Sequence, residues 1–276
     1  MIGEVSHMEK INMHNHTTYC GHAEDTMSDM VKAALAAGID TMAFTEHYPM
    51  IEPYDHCGYI SMLYSQEQQY CDEVLEHRRN HQEIEIICGV EVDWLGDREN
   101  RDLDSENWDR FELILGSVHF IDGWGFDDPA YMHRWDEMGV DDVWRRYFQI
   151  WCEAATSSMP FHVMAHPDLV KKFGYWPSFD PSELYRAAAE AAASAGRMIE
   201  VNTSGAFYPC EEFFPGPSLL REFCRAGVPC TVGTDAHAAL NVDRAIDDAY
   251  RFMYEAGYRV VTVPTRDGGR REVPLE

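Results

Sequence analysis

The sequence predicts an α/β protein in which helices cover a parallel sheet. Seven short apolar segments with strand character alternate with helical segments along the chain, and this alternation is typical of parallel sheets. The 276 residues are 45% hydrophobic and 25% charged, which are ordinary values for a globular protein. A chain of this length can bury a large core, and we expect residues 1–276 to form one domain.

The predicted strands are short apolar runs, each separated from the next by a helix or a loop. A long loop at 48–64 follows the second strand and is expected to lie over the site, and a second long loop at 120–139 follows the fourth strand. A strand-like run at 260–263 leads to a polar tail. In chain order the seven predicted strands cover residues 11–16, 41–44, 84–90, 111–115, 161–165, 198–201 and 230–233.

The predicted helices carry start and stop signals. Thr26 and Asp29 form a capping box before the first helix, and Gly38 ends it. A proline in the first turn starts the helix after the fifth strand, and Gly196 stops it. The helices are predicted at residues 30–37, 66–81, 143–155, 180–195, 217–226 and 245–257.

Charge excludes several classes of function. The chain has 22 basic and 48 acidic residues, which gives a net charge of −26. Such a surface repels nucleic acid and anionic lipid, so we expect neither a nucleic-acid polymer nor a membrane as a partner. No apolar run approaches a membrane span, and no secretory signal is evident, which indicates a cytoplasmic protein. The eight cysteines include no C-x-x-C pair, so neither a zinc ribbon nor a disulfide framework is predicted.

Three histidines near the N-terminus form the first candidate metal site. If residues 11–16 are extended, His14 and His16 project from the same face of the strand. The step to His22 runs through Cys20 and Gly21, which suit a tight loop that brings a third imidazole back. Neutral imidazole is the commonest protein ligand for Zn, Fe and Mn.

Similar residues follow the other predicted strands. In a closed parallel sheet the active site forms at the carboxyl ends of the strands, so these side chains are expected to converge there. A carboxylate at the end of a buried strand is costly unless a cation meets it. Beyond the three histidines near the first strand, the candidate ligands at the ends of later strands are His47, Glu91, His119, His166, Asp235 and His237.

Together these motifs resemble the polymerase and histidinol phosphatase (PHP) superfamily, and within it the histidinol-phosphatase-like branch. The resemblance covers roughly residues 10–255, and the combination is specific although each motif alone is weak. The motifs are His14-Asn-His16 with His22, Thr45-Glu46-His47, Gly89-Val90-Glu91, Gly116-Ser117-Val118-His119, His166-Pro167 and Gly233-Thr234-Asp235-Ala236-His237.

The resemblance implies a distorted (β/α)7 barrel with a trinuclear metal centre at the carboxyl ends of its strands. Three divalent ions, of the Zn, Fe or Mn type, are expected. The implied ligands of the first ion are His14, His16, Glu91 and Asp235. Glu91 would bridge to a second ion held by His119 and His166, and a third ion would be held by His22, His47 and His237.

The implied activity is hydrolysis of a small organic phosphate ester. A water bridging two ions would be deprotonated near neutral pH and would attack phosphorus, with Glu91, Asp235 and His237 as the catalytic residues. Histidinol phosphate is the first candidate substrate, and a sugar phosphate, a nucleotide or a cyclic phosphate is the alternative. A non-catalytic metal-binding module is a further alternative, which the complete ligand set and the acidic surface disfavour.

The substrate contacts are harder to predict, because this chain departs from the family pattern. Members of the branch usually carry a basic pair after Asn-Thr-(Ala/Ser)-Gly, whereas this chain reads Ala206-Phe207-Tyr208 there. Lys171, Lys172 or a loop arginine would then bind the phosphate. His56 is a candidate for protonating the leaving group. Asp168 and Glu46 are candidates for orienting an imidazole.

Overall fold

Seven parallel strands form the centre of the molecule, in a computed structural model that describes residues 8–51, 53–55, 58–100, 103 and 107–275. Each strand of this sheet pairs with the sheet strand that comes before or after it in the chain, as consecutive elements usually do. The strands are β1 (Ile11–Asn12), β2 (Thr41–Phe44), β3 (Glu85–Asp93), β4 (Leu113–Ser117), β7 (Val163–Met164), β8 (Met198–Asn202) and β9 (Cys230–Gly233).

The sheet curls until its first and last strands meet. The Met13 amide donates to the Val232 carbonyl at 2.8 Å, and the Asp235 amide donates to the His14 carbonyl at 2.9 Å. These bonds link the chain beyond β1 to β9, so the sheet forms a nearly closed barrel. The predicted parallel α/β barrel is therefore confirmed.

The helices pack around the outside of the barrel. In α5 (Val140–Thr156), for example, one face buries Trp144, Tyr147, Phe148 and Trp151 against the barrel, as the predicted amphipathic pattern requires. Among the described residues, no helix has both the length and the apolar character needed to cross a membrane. The helices are α1 (Met27–Ala37), α2 (Glu67–Asn80), α3 (Asp97–Asn100), α4 (His133–Met138), α5 (Val140–Thr156), α6 (Ser182–Ser194), α7 (Pro217–Arg225) and α8 (Ile246–Ala256).

The predicted signals at the ends of the first helix have their expected geometry. The Thr26 side chain accepts a hydrogen bond from the Asp29 amide, which caps the first turn of α1. Gly38 adopts a φ of 70° in the left-handed region and donates to the last carbonyls of the helix. Two short hairpins lie outside the barrel, formed by β5 (Phe120–Ile121) with β6 (Trp124–Gly125) and by β10 (Val260–Pro264) with β11 (Arg270–Pro274).

Two strands are shorter than predicted because side chains replace part of the backbone ladder. The Asn12 side-chain oxygen accepts from the amides of His14 and Thr234 at 3.2 and 3.1 Å, so regular pairing of β1 ends at Asn12. In the fifth barrel strand, the His162 ring nitrogen accepts from the Ile114 amide at 2.9 Å. The bonds from Thr234 and Ile114 join residues far apart in the sequence, so a periodicity argument cannot detect them.

Candidate metal centre

His14 and His16 face the same point, as the strand alternation predicts. Their Nε2 atoms lie 3.0 Å apart, and both side chains are fully buried. Glu91 Oε2 lies 3.3 Å from each of these nitrogens, and Asp235 Oδ1 lies 3.6 and 3.3 Å from them. Four donors about 2.1 Å from one tetrahedral ion would be about 3.4 Å apart. His14, His16 and Glu91 therefore have the spacing of a single metal site, and Asp235 lies within reach of both imidazoles.

Glu91 has its two carboxylate oxygens directed at different imidazoles. Oε2 lies 3.0 Å from His47 Nδ1, on the same side as His14 and His16. Oε1 lies 2.9 Å from His166 Nε2 and 3.8 Å from His119 Nε2. A carboxylate placed in this way can bridge two neighbouring ions.

A third group of imidazoles lies beside the first. His22, His47 and His237 each offer a nitrogen to one common position. The His237 ring stacks on His16 with 4.3 Å between centroids and lies 4.6 Å from His22. His47 also groups with Glu91 and His119, so it lies between two candidate ion positions. The structure thus brings all nine predicted ligands into one cluster.

Four side chains of this cluster have protonation states that suit metal binding. Burial opposes ionisation of Glu91 and Asp235, but neighbouring histidines hold the pKa of each carboxyl well below its usual range. Burial, together with the nearby imidazoles, lowers the pKa of His22 to about 4 and that of His237 well below normal. Two carboxylates are therefore ionised and two imidazoles neutral at pH 7, which are the ligand forms.

Buried polar atoms without hydrogen-bond partners provide the test of whether ions fit. Within the described part of the chain, such atoms gather at this cluster, although buried polar groups are nearly always satisfied. An unsatisfied buried donor or acceptor costs about 1–3 kcal/mol, and bound cations would remove that cost for the acceptors. The atoms include His47 Nδ1, Glu91 Oε2 and His237 Nε2. The residues present therefore fit divalent metal ions.

Further carboxylates orient the imidazoles from behind. Glu200 lies 3.0 Å from His14 Nδ1, and its Oε1 also accepts from the His166 amide at 2.9 Å. Asp93 Oδ1 lies 2.8 Å from His119 Nδ1, and this contact outweighs burial and raises the pKa of His119 to about 10. Each contact directs the opposite ring nitrogen toward the cluster, as carboxylates behind metal-binding histidines do.

Glu46 and Asp168, the two candidates for orienting an imidazole, make their hydrogen bonds to other groups. Glu46 Oε1 accepts from the amide and hydroxyl of Thr17 at 2.6 and 2.5 Å, and its other oxygen is 3.9 Å from His16 Nδ1. Asp168 contacts the Gly216 amide and the Lys171 ammonium, at 2.8 and 2.9 Å, instead of an imidazole. Glu46 therefore fixes the loop that follows His16, and Asp168 belongs to an ion pair.

The two predicted lysines lie in different environments. Lys171 is fully buried, and its ammonium lies 2.9 Å from Asp168 and 3.0 Å from Glu212, so its charge is already paired within the protein. Lys172 is 15% exposed and donates to the carbonyl and carboxylate of Asp127 at 3.1 and 2.9 Å. His56 lies outside the described residues.

Cys20 is a neighbour that the ligand prediction did not include. Its sulfur lies within reach of nitrogens from His16 and His237. However, burial raises the pKa of this thiol to about 12, and the thiol lies 3.3 Å from the Thr17 carbonyl as a hydrogen-bond donor. A thiol rather than a thiolate is therefore expected, which is a poor metal ligand.

Sequence reasoning missed Glu200 and Asp93. Glu200 stands in the middle of the apolar strand β8 and Asp93 at the end of β3, where a buried carboxylate needs a partner. That argument had identified Glu91, and it could have identified these two as well.

The comparisons with known proteins agree with this geometry. Residues 12–204 match the PHP domain family. A probable histidinol-phosphatase from Deinococcus radiodurans is 32% identical over 90% of this chain and 94% of its own length. The histidinol-phosphatase of Bacillus subtilis is 24% identical over 87% of this chain and 98% of its own.

A solved structure has a similar fold. It is a histidinol phosphate phosphatase from Lactococcus lactis, in complex with zinc, L-histidinol and phosphate. The TM-score is 0.77 and the identity 23%, with 94% of this chain and 98% of that chain covered.

Proposed function

The chain belongs to the PHP domain family, as a metal-dependent phosphatase, and on that premise we propose that it hydrolyses a small organic phosphate ester, with histidinol phosphate as the first candidate. The products would be an alcohol and inorganic phosphate. The names of the similar proteins from Deinococcus radiodurans and Bacillus subtilis support this choice of substrate.

The placement of Glu91 carries the proposal. One fully buried carboxylate reaches His14, His16 and His47 with one oxygen and His166 with the other. A purely structural carboxylate in a barrel core would need one partner, not imidazoles on both sides. The arrangement is the one needed to hold two ions side by side at the mouth of a barrel.

We propose the predicted grouping of ligands for three ions. His14, His16, Glu91 and Asp235 would hold the first, Glu91 with His119 and His166 the second, and His22, His47 and His237 the third. When bound, divalent ions neutralise phosphate oxygens and bring the pKa of a bound water toward neutrality. The imidazole-rich donor set favours Zn, Fe or Mn over Mg or Ca.

The remaining residues act on the substrate without a covalent intermediate. Asp235 and His237 are proposed catalytic residues with Glu91, because their side chains are 20% and 30% exposed and so line the open side of the cluster. Lys172 is the proposed phosphate contact, because its ammonium has three N–H donors and Asp127 takes two of them.

The replacement of the basic pair by Ala206-Phe207-Tyr208 favours a second candidate substrate. Apolar and aromatic side chains cannot neutralise a phosphate dianion, so a less charged phosphate such as a cyclic diester is the alternative. Sugar phosphates and nucleotides are further alternative substrates.

A steady-state substrate panel tests these candidates. Histidinol phosphate, sugar phosphates, nucleoside monophosphates and five-membered cyclic phosphates would be compared by release of phosphate or of the ring-opened monoester. We expect kcat/KM for the true substrate above about 10⁴ M⁻¹ s⁻¹. A value below about 10³ M⁻¹ s⁻¹ for histidinol phosphate, with a higher value for another ester, would replace the first candidate with the second.

Elemental analysis tests the metal centre separately. Protein purified without chelator should contain about three Zn, Fe or Mn ions per chain. One ion or none would contradict the proposed grouping, whatever the substrate panel shows.

A further inference from the structure

Two cations from different loops lie beside the aromatic residues that replace the basic pair. Lys172, which follows β7, has its ammonium 4.9 Å from the centre of the Tyr208 ring. Arg244, from the loop between β9 and α8, has its guanidinium carbon 3.8 Å from the centre of the Phe207 ring. Two positive charges from elsewhere in the chain therefore lie beside Phe207 and Tyr208.

The position of Arg244 is fixed by two contacts. The Thr203 hydroxyl donates to the Arg244 backbone carbonyl at 2.7 Å, which joins the loop after β9 to the turn that carries Phe207. The guanidinium then stacks on the Phe207 ring, an arrangement that suits its planar, weakly hydrated charge. The ring holds the side chain without consuming its N–H donors.

At least one of those donors has no partner. Arg244 Nε is buried and makes no hydrogen bond within the described part of the chain. A buried donor left unsatisfied is costly, and arginine is suited to bidentate binding of phosphate oxygens. A donor of this kind is suited to a phosphate oxygen.

Arg244 also lies at the end of the barrel that carries the metal cluster, because the loop after β9 and the turn after β8 both follow the carboxyl ends of strands. Its charge is close enough to interact with Tyr208 and with Asp235, the cluster carboxylate with the more exposed side chain. Lys172 interacts with the same two residues. Both cations therefore lie near Tyr208 and Asp235.

We propose that Arg244 binds the phosphoryl group of the substrate, together with Lys172, and thereby replaces the missing basic pair. Arg244 donates to phosphate oxygens, and Phe207 keeps its guanidinium in place. The site therefore selects a dianionic monoester over a monoanionic diester. This inference rests on the proposed phosphatase activity, since it concerns how that site holds its substrate.

Substitution of Arg244 tests the inference. In the metal-loaded enzyme, Arg244→Gln should raise KM for the best monoester of the substrate panel, and the inhibition constant of inorganic phosphate, at least 10-fold. Arg244→Lys should recover part of both losses. For a diester such as bis(p-nitrophenyl) phosphate, kcat/KM should fall less, so the ratio of monoester to diester activity should drop. Calorimetric titration with inorganic phosphate provides a readout without turnover.

A matched control comes from elsewhere on the molecule. The Arg145 guanidinium stacks on Phe179 at 3.7 Å, in the same manner, on the exposed side of α5. Arg145→Gln should leave KM, phosphate affinity and the monoester preference unchanged. If Phe207→Leu produces an intermediate loss with unchanged melting, the role of the stack is supported as well.

The outcomes separate this inference from the proposed function. An active wild-type enzyme whose Arg244→Gln variant keeps its KM and phosphate affinity within twofold would overturn the role of Arg244 alone. Equal losses in the Arg145→Gln control would overturn it too, because the effect would then be general. Absence of phosphate release from every ester by the wild type would instead contradict the proposed function.

Discussion

The Glu200 carboxylate lies 3.0 Å from Nδ1 of His14, on the opposite edge of the ring from the Nε2 atom that faces Glu91. Burial disfavours protonation of His14, but Glu200, Asp235 and Glu91 raise the pKa of this imidazole well above normal. Glu200 also holds the His166 amide and the Asn202 side chain, both at 2.9 Å. One carboxylate therefore contacts His14 after β1, His166 after β7 and Asn202 at the end of β8.

Glu200→Gln should weaken metal binding while the fold persists. The amide keeps the shape of the side chain but loses the charge that raises the basicity of His14, and such changes cost roughly 10–100-fold in metal affinity. Competition with a chelator measures the effect. Glu190→Gln, on the exposed face of α6, is the matched control and should bind metal as the wild type does. Equal affinity in both variants would disprove the orienting role.

Glu91→Gln should abolish phosphate release. The substitution keeps a group that can contact Ser117 but removes the charge that both sets of imidazoles surround, so at least one ion should be lost. We expect kcat to fall by 10³-fold or more, roughly 4 kcal/mol in activation free energy. Circular dichroism should show an unchanged fold. Retention of wild-type activity would mean that the reacting water lies elsewhere.

Lys171→Met should destabilise the protein rather than change substrate affinity. The change leaves the buried Asp168 carboxylate without its cation, which costs roughly 3–5 kcal/mol. Urea unfolding measures the loss. Lys32→Met is the control, because its pair with Asp29 is exposed and 3.5 Å long and is worth at most about 1 kcal/mol. A normal midpoint with a raised KM would instead indicate that Lys171 contacts the substrate.

The Asp127 and Lys172 pair should contribute stability within a defined pH window. Burial opposes both charges, but Lys172 keeps the pKa of Asp127 below its usual range, and Asp127 keeps the pKa of Lys172 above 10.5. The contribution is therefore present above about pH 3.9 and is lost as the pH falls through the folded-state value of Asp127. It is also lost as the pH rises above 10.5 through the folded-state value of Lys172.

Asp127→Asn measures this window by difference. The free energy of unfolding of the wild type should exceed that of the variant by roughly 1–3 kcal/mol near neutral pH. This difference should shrink at both low and high pH. The charges of His119 and His166 also act on Asp127, so both proteins are measured with the metal centre loaded. Asp122→Asn is the control, because it breaks a more exposed ion pair with Arg146. Its difference in unfolding free energy from the wild type should be smaller and should persist above pH 10.5, because arginine stays charged. A gap independent of pH in Asp127→Asn would contradict the assignment.

The sequence by itself identified the barrel and the side chains that are proposed as ligands. Short apolar strands alternating with capped helices specify a parallel sheet, because strand and helix periodicities are local. His14 and His16 could be placed on one face by alternation alone, and His47, Glu91 and Asp235 could be placed at one edge because the carboxyl ends of parallel strands coincide. The family resemblance added the grouping of these residues around ions.

Only the tertiary structure decided what surrounds the ligands. Lys171 and Lys172 are adjacent in the chain, yet one is buried between Asp168 and Glu212 and the other reaches the site rim beside Tyr208. Arg244 reaches Phe207 because the Thr203 hydroxyl donates a hydrogen bond to the Arg244 carbonyl. This hydrogen bond joins two loops that are far apart in sequence. Such contacts depend on how loops pack across the barrel mouth, and loop packing has no periodicity from which it could be predicted.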